Sequence, residues 1–116
     1  MKENDIDEIM QWYDNFTEIV KQLSLSAEEQ IQKLKGTVVT DEIASDFLEI
    51  GMPYAQKLLN YGWITKEQFK IAQNIEKKLE QMTQKKELWN EEALLSSAEW
   101  NNCRKSGMDL LQTLET

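Results

Sequence analysis

Apolar residues recur along this chain at intervals of three and four, the repeat that places side chains on one face of an α-helix. Ile6, Ile9, Tyr13, Phe16, Val20 and Leu23 define the first such face, and Trp12 and Ile19 widen it. The pattern predicts a helix from about Asn4 to Ser24. Asn4 is the expected N-cap, and Asp5, Asp7 and Glu8 fill the first turn, where the helix dipole favours negative charge. A shorter helix is expected from Ser26, which has capping-box spacing to Glu29; Ile31 and Leu34 face inward and Gly36 stops it. Thr37, Val38 and Val39 form a connector, since a strand there would need a partner. Thr40 is the next expected N-cap, with Asp41 and Glu42 behind it.

The third apolar face comprises Ile43, Phe47, Ile50, Tyr54, Leu58 and Tyr61, interrupted by Gly51, Met52 and Pro53. Proline removes a backbone donor and crowds the preceding turn. Because the apolar phase continues across it, the expectation is a kinked helix, or two helices meeting at Pro53. Gly62 ends this region, with Trp63 placed for a Schellman-type contact. Thr65 and Gln68 then form a capping box, and Ile64 and Phe69 a hydrophobic staple. Behind that cap, Phe69, Ala72, Ile75, Leu79 and Met82 point inward. A short turn is expected over Glu91–Leu95 after Trp89 and Asn90. The last helix starts at Ser96 or Ser97, with Ser96 and Glu99 at capping-box spacing, and carries Trp100, Cys103, Gly107, Leu110 or Leu111, and Leu114. Gly107 gives room for another helix to approach, at a cost of roughly 1 kcal/mol relative to Ala. The resulting expectation is an all-α fold: one helical domain over residues 1–116, a bundle of four main helices with short accessory ones.

Composition narrows the chemistry. One Pro and four Gly leave little for long loops. A net charge of −8 argues against nucleic acid and against an anionic membrane surface, and suits a basic protein partner. No apolar run approaches the roughly 20 residues of a membrane helix. Met1 leads into Lys2, Glu3, Asn4 and Asp5 and not into an apolar segment, so a cytoplasmic location is expected. The lone Cys103 cannot form an internal disulfide and is expected in the core.

The chain has no histidine, which removes the usual general base, the usual activator of a nucleophile and the commonest nitrogen ligand of zinc. No glycine-rich phosphate loop is present. Glu3, Asp5, Asp7 and Glu8, and separately Asp41, Glu42, Asp46 and Glu49, lack the spacing of a calcium loop and read as solvated helix faces. Lys66, Lys70 and Lys77 with Asn74 read likewise as a solvent-facing stripe. No catalytic residue, metal site or cofactor is expected. Charge is polarised, however: residues 1–18 carry six acidic side chains against Lys2, and residues 41–49 carry four against none. If these stretches lie side by side they form one acidic surface. The candidate contact residues are therefore Asp5, Asp7, Glu8, Asp14, Glu18, Asp41, Glu42, Asp46 and Glu49. Trp12 joins them as a tryptophan lying among the acids.

Between Tyr61 and Arg104 three stretches stand out: Tyr61-Gly62-Trp63-Ile64-Thr65-Lys66-Glu67-Gln68, Leu88-Trp89-Asn90-Glu91-Glu92-Ala93-Leu94 and Ser97-Ala98-Glu99-Trp100. Over this third of the chain the sequence resembles small acidic helical immunity proteins encoded beside bacterial polymorphic or contact-dependent toxins. The resemblance implies a cytoplasmic protein that neutralises a cognate toxin by tight binding; it carries over no catalytic or binding residue. The leading expectation is thus an inhibitor of a basic toxin. A different class, a helical adaptor or regulatory subunit, possible as a homodimer and of phage or mobile-element type, would act through apolar helix faces. A third, a hydrolase using carboxylates and a metal, predicts binding of magnesium, manganese or calcium.

Overall fold

The computed structural model describes residues 3–115 and, within them, the side chains of residues 5–114. The helical elements, in order, are α1 (Glu3–Ser24), α2 (Ala27–Lys33), α3 (Val39–Ser45), a π turn (Asp46–Gly51), α4 (Met52–Asn60), α5 (Lys66–Met82), a 3-10 turn (Lys86–Leu88), α6 (Glu91–Ser96) and α7 (Ala98–Glu115). All secondary structure among the described residues is helical. The all-α class therefore holds, but the chain is divided more finely than four main helices with short accessories.

Two helix starts depart from expectation for local causes, and a third falls on one of its two expected residues. Helix α1 already includes Glu3, so Asn4 lies inside its first turn and is not its N-cap. Helix α3 begins at Val39 with Val38 in the cap position and no side-chain cap, while Thr40 is buried within the first turn. Burial of Val39 and Thr40 against the core outweighs the cap that Thr40 offers. At α7, Ser97 rather than Ser96 accepts from the Trp100 N–H at 3.2 Å. Ser96 is occupied as the last residue of α6, its hydroxyl donating to Glu92 O at 2.8 Å.

Other signals operate as their chemistry requires. Both arms of the Thr65–Gln68 capping box form, at 2.8 and 3.1 Å. After α4, Gly62 adopts φ +75°. The Gly62 N–H reaches Leu59 O and the Trp63 N–H reaches Leu58 O, which is the Schellman pair. In α2 the inward position is Gln30, with Ile31 and Leu34 only half-buried. Gln30 Nε2 donates to Gln22 O and Leu23 O, each at 3.0 Å, and so satisfies carbonyls that the end of α1 leaves without helical donors.

The largest departure surrounds Pro53. The path from Val39 to Asn60 is continuous, and the Met52 N–H bonds Phe47 O, five residues back. A π turn adds one residue to the helix, and widening the turn relieves the clash between the proline ring and the preceding carbonyl. The extra residue advances every later position by about 100°. Met52, Ala55 and Leu58 therefore face the core, whereas Ile50 and Tyr61, expected inside, are 45% and 56% exposed.

Helix α1 packs along α7 and along the π turn and α4; α5 packs against α4 and α7. Tyr13 Oη donates to Leu114 O at 2.8 Å, tying the middle of α1 to the end of α7. Towards the other end of this pair, a Cβ on Gly107 would lie 2.6 Å from Ser24 Oγ, so the glycine is what permits the approach. The core is built from Ile9, Phe16, Val20, Phe47, Leu58, Ile75, Leu79, Trp100 and Leu110. Trp100 is wholly buried with its indole N–H on Leu88 O at 2.7 Å, and Trp89 meets it edge-on at 5.4 Å.

Candidate functional site: an acidic face with an aromatic margin

On α1, Asp7, Asp14 and Glu18 are spaced by seven and four and form one outward stripe. Gln22, one turn beyond Glu18, is buried and its Nε2 donates to Asp46 Oδ2 in the π turn at 2.8 Å. This bond joins the two acidic stretches. Glu42, one turn before Asp46 and therefore on its side of the helix, extends the charge along α3. Glu49 accepts from Ser45 Oγ at 3.0 Å, which aligns it with Asp41 on the adjoining stripe. The carboxylates thus meet where Glu18 and Asp46 flank Gln22, and they face solvent, apart from the half-buried Asp46. One cation intrudes: Lys21 lies 3.7 Å from Glu18, an exposed pair of little energetic weight.

Asp5 and Glu8 belong elsewhere. They share a stripe with Trp12, at spacings of three and four, roughly 15–20 Å along α1 from Glu18. Trp12 is half-buried and packs against Tyr61 with ring centroids 5.8 Å apart. Lys57 Nζ lies 4.9 Å from the Trp12 ring centroid and 5.9 Å from that of Tyr54. Trp12 is therefore held in an internal cation–π cluster, with one ring face covered. Tyr13 and Trp63 form a second aromatic contact at 6.1 Å. On the turns of α1 before Trp12, Ile9 is buried in the core while Ile6 and Met10 are exposed.

The acidic positions were all legible from the sequence. Ile50 and Tyr61, the exposed apolar groups beside them, were not, because apolar phase alone assigns both to the interior. The signal available was Pro53 itself, since a proline within a continuous apolar phase calls for an extra residue in the turn.

Among the described residues no group of three or more Cys, Asp or Glu side chains gathers in metal-holding geometry. Burial raises the Cys103 thiol to about 11, against the opposing pull of Lys78 and Arg104. Among the described residues, no helix is long and apolar enough to cross a membrane. Compared with known proteins, the chain matches no family model, no curated protein and no solved structure.

Proposed function

We propose that this chain is a non-catalytic binding protein that neutralises a cognate basic protein toxin by direct contact. The observation that supports the reading is the union of the two acidic stretches through Gln22 and Asp46. It gathers Glu18, Glu42 and Asp46, and the exposed Ile50, about one turn past Asp46, adds an apolar group at the end of that stripe. A basic partner is steered by the charge and held by the apolar contact, the usual division between association rate and affinity. A second copy of the chain would oppose like charges there, which argues against self-association through this face.

The test is co-purification with the product of the neighbouring gene, together with survival of cells that express it. Recovery of a basic protein and protection of the cells support the reading. Failure of both overturns it. Glu18→Lys with Glu42→Lys, both at exposed positions, is expected to weaken the complex at least tenfold while leaving the fold intact, because such charges act mainly on encounter.

A further inference from the structure

Arg104 is an anomaly in so acidic a protein. It is only 9% exposed, yet among the described residues no carboxylate lies within ion-pair distance of it. Among the described residues its one hydrogen bond is a long one, Nη1 to Gln30 Oε1 at 3.4 Å. A guanidinium carries five N–H donors, and a buried charge is normally matched by an anion. Burial accordingly weakens its hold on its proton, with the field of Cys103 and of Glu28 opposing that effect.

The unused donors are not sealed in the core. The one enclosed side-chain oxygen or nitrogen without a partner, among the described residues, is Thr40 Oγ1. Arg104 instead lines a groove of about 530 Å³ between the start of α2, the end of α6 and α7. That volume lies within the range of small-molecule sites. Leu95 and Met108, 49% and 55% exposed, supply apolar walls, and Lys105 adds a second cation. Glu28 is the one acid on the lining, and it stands outside ion-pair distance of Arg104.

We propose that this groove binds a carboxylate carried on a short apolar group, with Arg104 taking the carboxylate and Leu95 and Met108 the apolar part. A planar guanidinium matches a carboxylate through two parallel N–H bonds, and the match gains strength where water is scarce. The source is either a free short-chain acid or the terminal residue of a peptide chain. The groove begins two residues past Gln22, at the end of α1, but its proposed ligand does not depend on the function proposed for the acidic face.

The test is titration of the full chain, followed by NMR of the Arg104 Nε–H and the Met108 methyl. Hexanoate and N-acetyl-leucine are the two probes, with hexanamide and N-acetyl-leucinamide as their uncharged counterparts. Saturable shifts at millimolar concentration are expected for at least one acid, and the tighter of the two identifies the source. The matching amide is expected to bind at least tenfold more weakly. Glu28→Gln, which removes a competing anion, is expected to tighten binding severalfold. Met108→Asp, at an exposed rim position, is expected to weaken it about tenfold without unfolding the chain. Neither acid binding, or acid and amide binding equally, overturns the proposal. So does an unchanged affinity in both variants.

Discussion

Two buried side chains make opposite demands on their surroundings. Thr40 carries a hydroxyl into the core with no partner for its oxygen. Thr40→Val keeps the shape and removes the unsatisfied group, so stability should rise by about 1 kcal/mol. Denaturant titration checks this as a higher midpoint with an unchanged slope. Cys103 is neutral and packed, with Met82 Sδ at 3.7 Å. Its thiol ionises at about 11 in the fold against an ordinary 9.0. Between those values the unfolded chain has lost the proton and the native one has kept it, so stability falls as pH rises through that window. The loss should approach roughly 2–3 kcal/mol, is absent below pH 9, and should vanish in Cys103→Ala. Melting curves of both forms across the alkaline range provide the measurement.

At the scale of elements, the π turn behaves as a one-residue insertion whose outward product is Ile50. Deleting Ile50 should close Val39–Asn60 into a continuous α-helical phase with Phe47, Met52, Ala55 and Leu58 still inward; it restores the Pro53 clash, so cooperative melting should survive at a lower midpoint. Deleting Gln73, in the middle of α5, should rotate half of that helix away from the core and abolish cooperative unfolding. Circular dichroism melts distinguish the two. The α1–α7 contact makes a second prediction. Gly107→Ala gains helix propensity but drives its Cβ against Ser24 Oγ, for an expected loss of about 1 kcal/mol. Adding Ser24→Ala should recover the loss and leave the pair coupled in a double-mutant cycle. Caps and apolar phase made most helix positions readable, as at Thr65–Gln68 and Gly62. What escaped was tertiary: Gln30 is inside because the end of α1 needs donors, and Thr40 is not a cap because the core claims it. The shift after Pro53 was hidden because a three-four repeat assumes an unbroken turn.

For the molecule as a whole, charge is the organising variable. The acidic face was legible as two separate stretches, but their meeting at Gln22 and Asp46 depends on how α1 lies against the π turn, which no local pattern contains. If the face receives a basic protein, the association rate should fall steeply between low and physiological ionic strength, by roughly tenfold. Stopped-flow measurement at two salt concentrations checks this; a rate indifferent to salt would remove the acidic face from the encounter. The dissociation rate should change far less, since apolar contact sustains the complex once formed.

The tryptophans give this chain its own optical labels. Trp100 and Trp89 lie together against the core with their indole nitrogens bonded to Leu88 O and Met82 O, while Trp12 rests under Lys57 beside the outer surface. Emission from the inner pair follows melting of the core, and emission from Trp12 follows events near the middle of α1, where it meets Tyr61. With Trp63 replaced by Phe, a ligand arriving near Trp12 would alter the red side of the spectrum and leave the blue side unmoved. Unfolding would sweep both together, so one fluorimeter trace could separate occupancy from collapse without any attached dye.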